Sequence, residues 1–180
     1  MKILKRVLIA VVILIAVPLI VALFVKKDYA VEREVTINKP KEEVFSYIKF
    51  LKNQDNFSVW NKRDPNIKKE YKGTNGIVGF VYSWDSQDKH VGKGEQEIVK
   101  ITEGERMDVV LRFKVPFEAQ DNGYFITETA GENQTKVKWG FSGTMPYPFN
   151  IMCLFMDMDK EVGGDMEKGL TALKGVLENQ

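Results

Sequence analysis

VTINKPKEEVFSYI, residues 35–48, joins the end of a β-strand to the start of an α-helix. Upstream of Asn38, apolar and polar side chains alternate from Tyr29 onward, a period of two that is typical of a strand with one covered face. Downstream of Pro40, apolar side chains recur at helical spacing from Val44 to Leu51. The proline lies in the first turn, where its missing N–H donor is not needed. The stretch therefore predicts a strand, a turn and a helix of about ten residues.

The middle of the chain predicts an antiparallel meander. A second short helix is expected at 57–62, ended by Asp64-Pro65, because the residue before a proline is pushed out of the helical region. Apolar alternation then follows, interrupted by turn residues about every 8 to 12 residues. Six strands are expected, at 67–71, 77–84, 91–101, 107–114, 123–128 and 135–144. Glycines inside these strands indicate bends that wrap the sheet, at Gly79, Gly92, Gly94 and Gly140.

The end of the chain predicts a long helix. From Phe149 to Leu177, apolar side chains recur about one helical turn apart, and the pair Gly163-Gly164 is a point where this helix could break. A strand, two short helices, a curved antiparallel sheet of about seven strands in all, and a closing helix together make an α+β domain.

An apolar segment precedes the domain. Nineteen residues, Val7 to Val25, carry no charge. At ~1.5 Å per residue a helix of this length covers roughly 28 Å, about the hydrocarbon thickness of a bilayer. The segment predicts a single-pass membrane anchor, with residues 1–27 as the anchor and its basic flanks, and 28–180 as the domain. A cleaved secretory signal is the alternative, although the residues that follow offer no small-residue cleavage site. The basic residues on the two sides favour, by a small margin, an extracytoplasmic domain.

Charge separates the anchor from the rest of the chain. Five of the 26 basic residues flank the apolar segment, whereas all 25 acidic residues follow it, so residues 28–180 carry 21 basic residues and a net charge of −4. A domain of this sign lacks the basic surface that binds phosphate backbones, which argues against a nucleic-acid partner. Cys153 is the only cysteine, so no intrachain disulfide and no thiolate metal cluster can form. No metal and no cofactor are expected.

Several short motifs occur in the order found in a known superfamily. Residues 35–48 resemble the first motif of the SRPBCC superfamily, which includes START-like lipid carriers, relatives of plant pollen allergens, and polyketide cyclases and dehydratases. Four further stretches are similar: VWNKRDP at 59–65, GKGEQEI at 92–98, TKVKW at 135–139 and KGLTALK at 168–174. The resemblance implies a helix-grip fold, in which the sheet clasps the closing helix around a hydrophobic cavity. It implies no particular reaction, because fold alone does not establish function.

If the cavity faces the closing helix, large side chains from the sheet and the helix should line it. The expected lining residues are Trp60, Phe80, Tyr82, Trp84, Leu111, Phe113, Tyr124, Trp139, Phe141, Phe155 and Met166. Each of these could instead be an ordinary core residue, because the aromatic residues of a domain must be buried somewhere. Polar strand residues that could enter the cavity and orient a ligand are Gln96, Glu97, Arg112 and Glu128. Single charges on strands more often face solvent.

Two other groups of residues invite a chemical interpretation. His90 is the only histidine and lies near Asp85 and Asp88, but no nucleophile-elbow motif accompanies it and these acids look like turn residues, so it is expected on the surface. Acidic residues also cluster near the start of the closing helix, at Asp157, Asp159, Glu161 and Asp165. Their spacing lacks the glycine and terminal glutamate of a calcium loop, and acidic side chains near a helix N-terminus complement its dipole.

Three functions are compatible with these features. The first is membrane-anchored binding or transport of a hydrophobic small molecule or lipid, which the anchor and the aromatic-rich cavity favour. The second is a cyclase or dehydratase-type enzyme acting on a polycyclic or polyketide-like substrate, which needs titratable groups that converge in the cavity. The third is a chaperone-associated stress-response module, which predicts a filled core and an exposed apolar patch.

Overall fold

A seven-stranded antiparallel sheet wraps around the last helix of the chain. The computed structural model describes residues 2–179. The strands are β1 (Asp28–Ile37), β2 (Lys68–Lys72), β3 (Val81–Asp85), β4 (Lys93–Thr102), β5 (Arg106–Val115), β6 (Ala119–Gly131) and β7 (Gln134–Thr144). Their order in the sheet is β1-β7-β6-β5-β4-β3-β2, so consecutive strands from β2 to β7 are neighbours and β1 returns to pair with β7.

Helices precede, interrupt and close this sheet. They are α1 (Lys2–Ala22), α2 (Lys41–Ile48), α3 (Val59–Arg63) and α4 (Met158–Glu178), with 3₁₀-helices at Leu51–Asn56 and Phe149–Leu154. The two short helices expected after the first strand are α2 and α3. The predicted α+β fold, a curved sheet on a long closing helix preceded by an apolar helix, is confirmed.

The start of β3 differs from the prediction, and glycine conformation explains the difference. The sequence pattern predicts a strand from residue 77, whereas β3 begins at Val81. Gly76 and Gly79 have φ values of 83° and 88°, which turn the chain instead of extending it. The main-chain N–H of Gly79 donates to the carbonyl of Ile98 at 2.8 Å, and the N–H of Ile98 donates to the carbonyl of Phe80 at 3.0 Å. The strand ladder therefore starts only after the turn.

The closing segment forms two helices and not one. After the 3₁₀-helix Phe149–Leu154, α4 begins at a cap in which the Asp157 carboxylate accepts a main-chain N–H of the first turn at 3.2 Å. The helix then continues unbroken through Gly163-Gly164. At Gly163 the guanidinium of Arg33, which binds Asp159 at 2.8 Å, fills the space where a side chain would begin. The absence of a side chain at Gly163 therefore permits the close approach of α4 to β1.

The concave face of the sheet is solidly packed at one end, which we call the closed end. There α2 and the last part of α4 cover the strands, and fully buried apolar side chains fill the space between them: Ile37, Phe45, Ile48, Ile98, Met107, Phe125, Val137, Leu170, Leu173 and Leu177. Full burial of such a side chain contributes ~1.5–3 kcal/mol. The opposite end, where β1 begins and β7 finishes, is the open end.

α1 joins the sheet at the open end. It is exposed over its apolar window, which has a mean hydropathy of 2.7. Its length and composition suffice to cross a membrane, and a secretory signal would pass the same test. The buried side-chain amide of Asn150 donates to the carbonyl oxygens of Ala22 at 2.6 Å and Val25 at 2.9 Å. Carbonyls at a helix C-terminus lack an intrahelical donor, so Asn150 caps α1.

Two glycines of α4 provide a matched test of helix–sheet packing. A Cβ at Gly169 would lie 2.8 Å from the Trp139 ring, whereas a Cβ at Gly175 would meet nothing within 4 Å. We expect Gly169→Ala to lower the free energy of unfolding by ~1–3 kcal/mol through overpacking, and Gly175→Ala to raise it by ~0.5–1 kcal/mol through helix propensity. Thermal unfolding of the full chain in detergent measures both changes. Equal effects of the two substitutions would contradict the close packing of α4 on Trp139.

Candidate ligand-binding cavity

A cavity of about 420 Å³ lies between the concave face of the sheet and α4. Small-molecule sites typically measure about 300–1,000 Å³. Most of the wall is apolar. Its aromatic side chains, besides Tyr29, are Trp60, Tyr82, Trp84, Phe113, Trp139 and Phe141, and its aliphatic and thioether side chains are Ile67, Val91, Val109, Leu111, Pro116, Met156, Met158, Val162 and Met166.

The mouth of the cavity lies at the open end of the sheet. The exposed lining residues are His90, Pro116 and Met156. His90 lies in the loop between β3 and β4, Pro116 directly follows β5, and Met156 lies between the second 3₁₀-helix and α4. The strand register places these three connections at the end of the sheet where β1 begins. The cavity therefore opens beside the point where α1 joins the domain.

Trp139 is the aromatic centre of the wall. Its ring stacks on Phe125 with 4.9 Å between centroids, and it meets Phe57 and Trp60 edge-on at 6.0 and 5.8 Å. Phe57 and Phe125 are fully buried, so Trp139 connects the packed closed end to the cavity wall. Contacts with three other rings therefore fix the position of Trp139 in the wall.

A half-buried pair of polar side chains lies near the mouth. The Tyr29 hydroxyl donates to both carboxylate oxygens of Asp121, at 2.9 Å each, and both residues line the cavity. Burial raises the pKa of the Asp121 carboxyl, which is 3% exposed, and the hydrogen bond from Tyr29 opposes that rise. Burial and the neighbouring carboxylate raise the pKa of the Tyr29 phenol. Gly143 on β7 makes room for the pair, because a Cβ there would overlap both groups.

Another polar group comes from the 3₁₀-helix Leu51–Asn56. Gln54 lines the cavity and is 4% exposed, and its amide nitrogen has no hydrogen-bond partner among residues 2–179. A buried donor left unsatisfied costs ~1–3 kcal/mol. The amide of Asn61, also in the wall, is already engaged, since it donates to Asp55 at 2.7 Å and to the Tyr82 hydroxyl at 3.3 Å. Gln54 is therefore an amide that a ligand acceptor can satisfy.

Three of the residues predicted to line the cavity lie elsewhere. Phe80 is buried at the closed end, where its ring stacks on Tyr71 with 6.1 Å between centroids. Tyr124 is on the outer face of β6, where its hydroxyl donates to Glu32 at 2.5 Å. Phe155 is 80% exposed between the last two helices. The other eight predicted residues are in the wall, namely Trp60, Tyr82, Trp84, Leu111, Phe113, Trp139, Phe141 and Met166.

Of the four polar strand residues predicted as candidates, the structure brings Gln96 to the cavity. Because Gln96 faces inward on β4, its neighbour Glu97 faces outward, where it binds Arg112 of β5 at 2.8 Å. Glu128 is on the outer face of β6 and binds Lys138 of β7 at 2.8 Å. These three charged residues form cross-strand ion pairs on the outside of the sheet, so the prediction that they enter the cavity is wrong.

Sequence reasoning missed Tyr29, Gln54 and Asp121. Asp121 was not predicted as a cavity residue because the run QDNG at 120–123 is typical of a turn, and the sequence pattern predicts a strand only from residue 123. The structure extends β6 back to Ala119. The signal was present, because period-two alternation carried back from Phe125 through Gly123 puts Asp121 on the inner face.

The remaining chemical candidates are His90 and the acidic cluster near the start of α4. His90 is exposed at the mouth, and its main-chain N–H donates to the Asp88 carboxylate at 2.7 Å. In the acidic cluster, Asp159 binds Arg33, and Asp165 binds Arg63 at 3.3 Å. Within residues 2–179, no three His, Cys, Asp or Glu side chains are grouped in a way that could hold a metal ion.

Comparison with known proteins gives structural matches. No family model and no curated protein matches the chain. Norcoclaurine synthase from Thalictrum flavum, in complex with dopamine and hydroxybenzaldehyde, matches with a TM-score of 0.64 at 9% identity, over 89% of this chain and 92% of that chain. Ara h 8.0201 matches with a TM-score of 0.55 at 18% identity, over 85% and 99%. The di-domain ARO/CYC protein BexL matches with a TM-score of 0.60 at 13% identity, over 85% and 51%.

This chain has the helix-grip fold. The predicted fold is confirmed, and it is shared with these solved structures. At such identities the likeness carries no activity with it.

The raised pKa of Asp121 produces a testable pH dependence. The folded protein holds a proton on this carboxyl more tightly than the unfolded chain does. The contribution of this group to the free energy of unfolding is therefore fully present below the ordinary carboxyl pKa, and it is lost as the pH rises through the higher pKa of the folded state. Asp121→Asn removes the ionisation and keeps an acceptor for the Tyr29 hydroxyl. We expect the Tm of the variant to exceed that of the wild type near neutral pH, and the difference to shrink towards about pH 4.

Glu128→Gln is the matched control for thermal unfolding of the full chain in detergent. Lys138 holds the pKa of the exposed Glu128 below its usual range, so this group contributes stability at neutral pH that is lost as the pH falls. Its substitution should therefore act in the opposite direction, and only slightly. A Tm difference for Asp121→Asn that is constant with pH, or that grows in acid, would contradict the effect of burial.

Proposed function

We propose that this protein is a membrane-tethered binding or carrier protein for a hydrophobic small molecule or lipid. The cavity carries the proposal, because it is an apolar space of about 420 Å³ whose wall contains the Tyr29–Asp121 pair and the amide of Gln54. In such pockets burial of apolar surface supplies affinity, and a few polar groups fix the orientation of the ligand. The ligand is therefore amphipathic, with an apolar body and a group that hydrogen-bonds to Asp121 or Gln54.

The aromatic wall favours a ligand that contains rings. Aromatic pairs in stacked or edge-on contact gain ~0.5–1.5 kcal/mol beyond the burial of their area. Trp84 and Phe113 already form such a pair in the wall, with centroids 6.0 Å apart, and Trp60 and Trp139 form another. The norcoclaurine synthase structure, solved in complex with two small aromatic molecules, supports the same inference by analogy of fold.

The junction at the end of α1 supports a retained tether over a signal that is removed. Asn150 is fully buried and donates to the carbonyls of Ala22 and Val25. Cleavage after the apolar segment would remove both acceptors, and the domain would lose two hydrogen bonds that contribute ~0.5–1.5 kcal/mol each. A retained helix holds the cavity at the membrane and raises its effective concentration towards ligands dissolved there. The domain is proposed to lie outside the cytoplasm.

Acid–base catalysis is a second candidate, and the Tyr29–Asp121 pair is the observation that favours it. A buried carboxyl with a raised pKa beside a phenol can donate a proton to a substrate in the cavity. A cyclase or dehydratase-type reaction on a polycyclic or polyketide-like substrate would use such a group. Loss of turnover in Asp121→Asn with retained ligand binding would favour the enzyme over the carrier. A chaperone-associated module predicts a filled core, and the presence of the cavity argues against that function.

Filling the cavity tests the binding function. Val162 lines the cavity from α4, and Val162→Trp places an indole in the space. Val99→Trp is the matched control, because Val99 is 40% exposed on β4. We expect organic-solvent extraction and mass spectrometry of the wild-type full chain to yield a hydrophobic small molecule that is missing from Val162→Trp and present in Val99→Trp.

Lipids that surround α1 accompany all three proteins, so the informative signal is the difference between the extracts. Circular dichroism and thermal unfolding establish that each variant is folded. Identical extracts from the three folded proteins would count against an internal ligand and leave the membrane tether unaffected.

A further inference from the structure

An exposed apolar surface lies beside the cavity mouth. Residues 149–156, FNIMCLFM, carry no charge, and we call them the apolar lip. The exposed fractions of its large apolar residues are 63% for Phe149, 44% for Met152, 57% for Leu154, 80% for Phe155 and 41% for Met156. Exposed apolar residues are ordinary when they are scattered singly, whereas a contiguous group marks a contact surface.

The apolar lip is fixed to the last turn of α1. Its Asn150 donates to the carbonyls of Ala22 and Val25, and Ala22 is fully buried at this junction. A helix that spans a bilayer ends near the boundary between hydrocarbon and headgroups. Lys26 and Lys27, directly after the apolar segment, suit the headgroup level. A segment fixed to Ala22 and Val25 therefore lies at the bilayer surface.

The apolar lip also forms one side of the cavity mouth. Met156, its last residue, lines the cavity. Pro116 lines the cavity from another connection at the open end, and its neighbours Val115 and Phe117 are 49% and 76% exposed. A ligand that leaves the mouth therefore meets apolar side chains from both the lip and the β5–β6 connection.

We propose that the apolar lip inserts into the bilayer that holds α1, so that the cavity mouth opens onto lipid and a hydrophobic ligand passes between bilayer and cavity without crossing water. This inference rests on the membrane tether of the proposed function and deepens it by naming the surface through which the ligand travels.

Continuity and charge favour the bilayer as the occupant of this surface. The lip is hydrogen-bonded to the end of α1, so any membrane that contains the helix lies beside the lip. Acidic residues flank the exposed apolar side chains, namely Glu118, Asp157 and Asp159. Anionic headgroups would repel these carboxylates, so insertion depends on burial of apolar surface. The contact should therefore be no stronger in weakly anionic vesicles than in neutral ones.

Spin-label accessibility in the full chain tests the insertion. Cys153→Ser removes the native thiol, and a nitroxide is attached at Phe155→Cys in the lip, at Asn133→Cys in the β6–β7 turn of the closed end, or at Leu14→Cys in α1. In phosphatidylcholine vesicles, we expect the labels at 155 and 14 to collide more often with oxygen, which concentrates in lipid, than with a water-soluble nickel chelate. The label at 133 should show the reverse.

The outcomes separate this inference from the proposed function. If the label at 14 lies in lipid and the label at 155 lies in water, insertion of the lip is ruled out and the membrane tether is still supported. A label at 14 in water overturns the tether, and the lip with it. Neither result depends on the identity of the cavity ligand.

The rate of ligand uptake provides an independent readout. Phe149→Ser combined with Phe155→Ser removes the two exposed rings, and Ile77→Ser combined with Val78→Ser is the matched control, since these residues are 57% and 54% exposed near the closed end. Energy transfer from the cavity tryptophans to dansyl-labelled undecanoic acid reports its uptake from phosphatidylcholine vesicles. We expect uptake by the lip variant to be several-fold slower with the same final amplitude. Equal rates for wild type, lip variant and control overturn the passage of ligand through the lip.

Discussion

The closing helix and the short helices after β1 together cover the concave face of seven strands, and their side chains fill only part of that space. At the closed end, Leu170, Leu173 and Leu177 of α4 meet the apolar residues of α2 and leave no gap. Towards the open end α4 offers Met158, Val162 and Met166, and the sheet curves away beneath them. The rings of the wall pack on one another, and Trp139 also packs on α4 at Gly169. The cavity therefore lies where the helices leave part of the concave face uncovered.

An apolar cavity by itself selects poorly among ligands, and the polar groups in its wall supply the missing discrimination. The Tyr29–Asp121 pair is half-buried where an apolar residue would cost less, and Gly143 is kept free of a side chain so that the pair fits. A ligand without a complementary group would leave the carboxyl desolvated and incompletely paired, which costs more than the contact itself contributes. Under the proposed function, the polar groups of the wall lower folding stability and in return orient the ligand.

The elements that depend on local pattern could be predicted, and the site residues that depend on distant contacts could not. The strand–turn–helix at 35–48 and the meander follow from periodicities of two and 3.6 residues. The same period of two permits only one of the adjacent residues Gln96 and Glu97 to face inward. Strand geometry therefore excludes that both side chains enter the cavity. The pairing of Tyr29 with Asp121 joins residues 92 positions apart, which no local pattern reports. Phe155 fits an apolar helical stripe, but the 3₁₀-helix before α4 removes it from that stripe.

The apolar helix and the cavity mouth meet at the open end for a topological reason. β1 begins at Asp28, which pairs with Thr144 at the end of β7, and the carbonyl of Lys27 accepts the N–H of Met145 at 2.9 Å. The chain therefore leaves β7 beside the point where α1 arrives, and residues 149–156 must pass the end of α1 before α4 can return over the sheet. A polar connection with one buried asparagine would close the fold equally well. The exposed phenylalanines of the lip add nothing to the core, and in the arrangement that we propose a bilayer around α1 would bury them.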